Sequence, residues 1–569
     1  MRSKSLILIL VCLCISSLVN SCDASVWGCS WIPWWFVRTH YYLFPHPWFL
    51  KPPHPHHSMP PVLPPPPPSR RSSVPPFLHT PPTKGHAPPA KQPSPSPPPS
   101  PHTPPKNWHG PPVRRSPPPP SHPTPPKNKH VPPQSPKSPP PPAKKLPTFN
   151  IRNFGGKGDG NTDDTEAFKS TWLAACKVEG STMVIPAGYK FVLRAVSLEG
   201  IQCKENIVFQ LDGSIVAPEN HDKWGGDRSH WIVFKRLTGF TIQGCGTIDG
   251  RGSRWWKLSS ASDDTQDSGN DADDDYHEDS EENVGMFTAN AGSSTSPTAL
   301  MIYHSKNTIL KGITIRNSPR FHVQIMNCNG VKVHDFTASS PGDSPNTDGI
   351  QVHRSRDVSI YNSKFSCGDD CIAIQKGCHN VNVHNVTCGP GHGISIGSLG
   401  TDHSKACVSN ITVRDVNIHD TMNGVRIKTW QGGKGAVRGV TFSDIRMNQV
   451  KFPIIVDQYY CDRGSSGHGC TNQTTAVAVS GITYENIRGT YTDTAIYFAC
   501  SDSVPCTNIV LDSIDLRPAK QLDHDSQLHD SLCWKVFGQW KSSHEPKVAC
   551  LQVGKPSTYD CVRSNIDSC

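Results

Sequence analysis

Between residues 51 and 147 this 569-residue chain has no aspartate or glutamate, and it has few large apolar side chains there. Such a stretch cannot bury enough surface to pack a core. Long apolar runs are missing too. The longest, Leu6 to Leu18, is about 13 residues, short of the ~20 needed to span a bilayer. The aromatic stretch Trp31 to Leu50 is broken by Pro33, Arg38, Pro45 and Pro47. A membrane span is therefore not expected. No two of the 21 cysteines stand in a Cys-x-x-Cys pair, which removes the common zinc frameworks, and no metal or cofactor is expected.

What is present divides the chain. Residues 1–24 read as a secretory signal, with Arg2 and Lys4 before the apolar run and small residues from Ser21 to Ala24 at a cleavage site. Residues 25–147 form a Pro-rich, basic, disordered region. Within it, residues 51–147 hold 41 of the 56 prolines and 13 Lys or Arg. Polyproline II is its natural state, reaching on the order of 300 Å if fully extended. Its Ser-Pro blocks resemble extensin-like plant wall proteins. Thirteen positive charges without a negative one suit an anionic polysaccharide, and a signal for secretion argues against nucleic acid as the partner.

From residue 148 onward the balance reverses, with 40 Lys and Arg against 46 Asp and Glu. Eleven of those acids crowd into 263–282, an insert without a basic residue or apolar periodicity. Seventeen cysteines lie after residue 175, and on a secretory route most should pair; Cys461/Cys470 and Cys500/Cys506 are close enough to staple loops. The sequons at Asn385, Asn410 and Asn472 are candidate glycosylation sites.

Four polar clusters organise residues 148–569: Asn346-Thr-Asp348, Gly368-Asp-Asp370, Gly391-His-Gly393 and Arg426-Ile-Lys428. Asp348 to Asp370 is 22 residues, and Asp370 to His392 is 22 again. A solenoid turn explains this period, and stacked turns lie about 4.8 Å apart. Asp348, Asp370 and His392 should then form a column. Short β-rich units beginning at Asn307, Gly330, Asp357, Asn380, Asn410, Arg438 and Asn508 recur with Asn or Asp before alternating Val and Ile. A β-sandwich gives many strands but no polar residues held at one phase. The fold class expected is all-β, a right-handed parallel β-helix. Before it, Phe149 to Phe168 reads as strand, Gly-rich turn and helix, with Thr162 the N-cap and Asp163 and Asp164 in the first turn. That helix should cover the open end of the solenoid.

The column has a chemistry. Carboxylates on both sides of a sugar can protonate a leaving oxygen and activate water. Adjacent Asp369 and Asp370 should hold one proton between them through mutual repulsion. Arg426 and Lys428, two apart on a strand, point to one side, where they suit the carboxylates of an acidic glycan.

The motifs Asn346-Thr-Asp-Gly349, Cys367-Gly-Asp-Asp-Cys371, Cys388-Gly-Pro-Gly-His-Gly-Ile-Ser-Ile-Gly397 and Arg426-Ile-Lys-Thr429 resemble plant polygalacturonases of glycoside hydrolase family 28. The resemblance runs from about Phe149 to the C-terminus. It implies metal-free hydrolysis of α-1,4-galacturonan, the homogalacturonan of pectin, with inversion, by a secreted, monomeric enzyme of the cell wall. It makes Asp369 the general acid, with Asp348 and Asp370 positioning and activating water and His392 supporting the acid. Asn346, Arg426, Lys428 and Tyr460 would bind substrate, with Tyr459 the rival to Tyr460. A Cys371–Cys388 disulfide is also implied. Exo action, a lyase on the same scaffold, and a pectin-binding protein without turnover are the alternatives.

Overall fold

The computed structural model describes residues 146–220, 223–225, 229–262, 296–461, 473–520, 529–542 and 544–569. The signal, nearly all of the Pro-rich region, the acidic insert, Asn472 and Cys470 lie outside the described residues. The rest is a right-handed parallel β-helix, as the spacing predicts.

Two parallel sheets make the coil, one of nineteen strands and one of eleven. The smaller carries the polar column. Its strands, in chain order, are β1 (Val196–Glu199), β2 (His230–Lys235), β3 (Thr298–Tyr303), β4 (Val323–Met326), β5 (Ile350–His353), β6 (Ile372–Ile374), β7 (Ile394–Leu399), β8 (Asn423–Trp430), β9 (Phe452–Tyr460), β10 (Thr494–Ala499) and β11 (His529–Trp534). Each pairs in parallel with the next.

Alternation decides which side chains enter the coil. Val323, Ile350, Ile372, Ile394, Val425, Ile454 and Ile496 stand in register and are fully buried. Opposite them run Leu310, Val333, Ile360, Val383, Val413, Phe442, Tyr484 and Leu511, also fully buried. Each such aliphatic side chain stabilises the fold by about 1.5–3 kcal/mol relative to exposure.

The recurring Asn or Asp has a backbone cause. Asn307, Gly330, Asp357, Asn380, Asn410, Gly439, Gly481 and Asn508 occupy equivalent positions and all have left-handed φ, from 52° to 74°. A second corner repeats this with Gly312, Asp335, Asn362, Asn385, Asp415, Asp444, Asn486 and Ser513. Asn, Asp and Gly tolerate this conformation better than other residues, which is why they hold the phase. Side chains also bridge between turns: Asn380 Nδ2 donates to Asp357 Oδ1 at 2.6 Å, and Asn410 Nδ2 to Asn380 Oδ1 at 3.1 Å. The sequon residues Asn385 and Asn410 are thus exposed corner residues, and Asn385 Nδ2 donates to Asn362 Oδ1 at 2.7 Å.

The N-terminal helix, α1 (Thr165–Cys176), starts two residues later than the sequence suggests. Thr162 does not cap it, because Asp159–Asp163 is a strand paired with Lys190–Val192. Asp163 Oδ1 accepts from the Thr165 backbone N–H at 3.0 Å instead, and Asp164 takes the N–H groups of Lys157 and Gly158 in the preceding turn. Covering of the coil end is as expected: Phe168 packs on Phe209, and Trp172 on Phe234 and Phe240.

Cys371 and Cys388 are bonded, as are Cys500 and Cys506, and further bridges join Cys176–Cys203, Cys407–Cys569 and Cys533–Cys550. Cys461 is also disulfide-bonded. Among the described residues no helix is long and apolar enough to cross a membrane.

Candidate active site

The register Ile350↔Ile372↔Ile394 sets Asp348, Asp370 and His392 on successive rungs, two residues before β5, β6 and β7. The loops that carry them are tied together. Thr347 Oγ1 accepts from the Gly368 N–H at 2.9 Å and meets Ser344 Oγ at 2.7 Å. The Asp348 carbonyl takes the His322 N–H and its Nδ1, each at 2.8 Å. Gly393, at φ +84°, lies where an added Cβ would come 2.1 Å from the Asn423 carbonyl oxygen. Only glycine fits there, so the Gly-His-Gly turn packs directly on β8.

The side chains pair across rungs. His392 Nδ1 lies 2.9 Å from Asp369 Oδ1, not on Asp370, the residue 22 before it. That same Oδ1 accepts the Asp370 backbone N–H at 2.8 Å. Asp370, only 1% exposed, is held by three donors: Ser395 Oγ at 2.7 Å, the Arg426 guanidinium at 2.8 Å and Lys428 Nζ at 3.3 Å. Arg426 Nε donates to Ser395 Oγ at 2.9 Å, closing the group.

This arrangement changes where the proton sits. Burial alone would raise the Asp369 carboxyl, but the His392 hydrogen bond and charge, with Lys428 and Arg426 behind them, hold it well below the usual carboxylate range. Burial lowers His392 less than Asp369 and Asp370 raise it, so its imidazole is held above its ordinary value. The two neighbouring aspartates are thus turned to different partners, Asp370 to the cations and Ser395, Asp369 to His392. Arg426 and Lys428 are likewise raised, burial being outweighed chiefly by Asp370 and Tyr460. Both cations are clamps on Asp370 before any substrate arrives.

Three carboxylates converge on one buried thiol. Cys367 Sγ donates to the Asp369 carbonyl at 3.3 Å, and its pKa is pushed far up by burial and then by Asp348, Asp369 and Asp370. Asn346 stands exposed with left-handed backbone at φ 52°, on the loop that leads to Asp348. Of the two tyrosines, Tyr460 is the one beside Lys428, whose Nζ lies 5.1 Å from the ring centre, with Trp430 edge-on at 5.8 Å. Tyr459 turns away and donates to Asp502 at 3.2 Å. Ser395 was not anticipated. Its signal was there: it alternates with Ile394 and Ile396, so it had to leave the core on the face that carries Arg426.

The chain matches the family model described as glycosyl hydrolases family 28 over residues 176–276 and 279–533. A probable polygalacturonase of Arabidopsis thaliana is 39% identical over 422 residues, covering 74% of this chain and 87% of its own length. A polygalacturonase of Chamaecyparis obtusa is 40% identical over 385 residues, covering 67% and 70%. Among solved structures, a polygalacturonase from Erwinia carotovora shares the fold with TM-score 0.52 and 20% identity, covering 74% of this chain and all of that one. An endo-xylogalacturonan hydrolase from Aspergillus tubingensis does so with TM-score 0.53 and 20% identity, covering 70% and 99%.

Proposed function

The chain belongs to glycosyl hydrolase family 28 and is a glycoside hydrolase acting on O-glycosyl bonds, and from that premise we propose that it hydrolyses α-1,4-galacturonosyl linkages of pectin with inversion. The observation that carries this reading is the pairing of one carboxyl with a histidine and its neighbour with two cations, on an outward sheet face.

Asp369 is the general acid. In the free site its proton rests on His392, 2.9 Å away. A galacturonate carboxylate approaching Arg426 and Lys428 cancels part of the field that depresses Asp369, and the covering sugar removes water. Both effects raise the Asp369 carboxyl and return the proton to it, next to the leaving oxygen. Asp370, fixed by Ser395, Arg426 and Lys428, and Asp348 on the rung before it hold and activate the attacking water. Asn346 and Tyr460 contact the sugar at the rim. No step uses a metal.

Localisation follows from the same reading. Residues 1–24 direct secretion, the basic region 25–147 retains the enzyme on acidic wall polysaccharide, and 148–569 form the catalytic domain, acting as a monomer.

Product analysis on de-esterified polygalacturonate tests the reaction. Saturated reducing ends are expected, whereas unsaturated ends mean elimination and sink the hydrolase. Replacing Asp369 by Asn should lower kcat by about 10²–10⁴, the range for losing a positioned acid; activity that survives unchanged removes Asp369 from its role. Sizing the products over time separates internal from terminal attack.

A further inference from the structure

The outward face of the smaller sheet changes character on either side of Lys428. Before it, on β5, His353 lies close to Arg354 and Lys376, and its buried Nε2 has no hydrogen-bond partner among the described residues. Arg426 and Lys428 follow on β8, with the uncharged Gln351, Ala373 and Ser395 in register before Arg426. After it, the residues in the same phase are Ile455 and Asp457 on β9, Tyr497 on β10, then Leu532 and Trp534 on β11. Asp457 is in register with Lys428, yet it forms no ion pair there; it accepts the Tyr459 N–H at 2.9 Å. Beyond it, Tyr459 Oη meets Asp502 at 3.2 Å and the Trp534 side chain. Trp534 and Leu532 are 39% and 44% exposed, unusual for large apolar groups on this coil. Three strands past Lys428, this surface extends the face by about 14 Å.

Resting on the galacturonan reading above, we propose that β9–β11 form a stretch of subsites for methyl-esterified galacturonosyl residues. Asp457 and Asp502 repel a free sugar carboxylate, while an esterified one brings no charge. Tyr497, Leu532 and Trp534 supply apolar faces for the C–H side of the sugar and its methyl group. One face of the coil thus reads a free acid at the cleavage point and a capped acid beyond it.

Around Asp457 stand Arg426 and the in-register Lys428 from β8, Tyr497 from β10 and, on its own strand, the Tyr459 backbone N–H. Burial pushes the Asp457 carboxyl up to about 6. A raised carboxyl gains its charge as pH climbs through that value, so rejection of free galacturonate strengthens in that direction.

The test compares kcat/KM of the full chain, Asp457→Asn and Asp502→Asn on length-matched galacturonans, one de-esterified and one partly methyl-esterified. The wild-type ratio of esterified to de-esterified should rise several-fold from about pH 5 to about pH 7. Asp457→Asn should abolish that rise and improve the de-esterified substrate about tenfold at the higher pH. Asp502→Asn, at an exposed turn, should give a smaller improvement and keeps the test open should Asp457→Asn not fold. Equal ratios in wild type and both variants at both pH values overturn the inference and leave the hydrolase standing. Failure of the wild type to cleave either polymer overturns the hydrolase reading itself.

Discussion

Asp369 Oδ1 and His392 Nδ1 lie 2.9 Å apart, and the sign of each shift fixes when that pairing stabilises the fold. His392 is raised above its ordinary 6.5, so its contribution is full below that value and lost as pH rises through its folded pKa. Asp369 is lowered from 3.8, so its contribution is full above that value and lost as pH falls through its folded pKa. The pair therefore contributes most between about pH 4 and 6.5. Melting temperatures of wild type and His392→Gln should differ most in that window and converge on both sides of it. A difference flat from acid to alkaline pH would mean that no ion pair forms.

At the scale of the element, the corners hold the phase in which the strands stack. Asn380 sits at φ 56° and donates to Asp357 while accepting from Asn410. Asn380→Gly keeps the backbone conformation and loses the bridges, so its cost should stay small. Asn380→Val forces a β-branched residue into left-handed space at about 1–2 kcal/mol, besides losing the bridges. Denaturant melts of the two variants should rank Val well below Gly; equal stabilities would show that the corner tolerates any residue. The loops of the site follow the same rule, since Gly393 allows His392 to turn back onto Asp369.

The whole molecule divides its charge. Residues 51–147 carry 13 positive charges and no negative ones, against 40 Lys and Arg and 46 Asp and Glu from 148 onward. A chain lacking 25–147 should bind a de-esterified pectin gel less tightly at low salt while cleaving short soluble galacturonans at the same rate. Salt shortens the Debye length to about 8 Å at physiological strength and about 3 Å at 1 M, so the retention of the two forms should converge as salt is added. Equal retention at low salt would assign the basic region another role.

Sequence alone determined the coil and its column, because both rest on periods the backbone imposes. Two successive turns through the column take 22 residues each, strands alternate in and out, and left-handed corners favour Asn, Asp or Gly, whereas other turns of this sheet lengthen, to 42 residues from Ile454 to Ile496. The start of α1 was not legible: Thr162 has the chemistry of a cap, but pairing of Asp159–Asp163 with a strand some thirty residues on overrides local preference. Only the tertiary structure decided which partners meet within the column. His392 reaches Asp369 rather than Asp370, Ser395 joins Asp370 to Arg426, and Tyr460 rather than Tyr459 lies on Lys428. A repeat assigns each residue its rung; charge pairing is settled by how side chains cross between rungs, over distances that no period encodes.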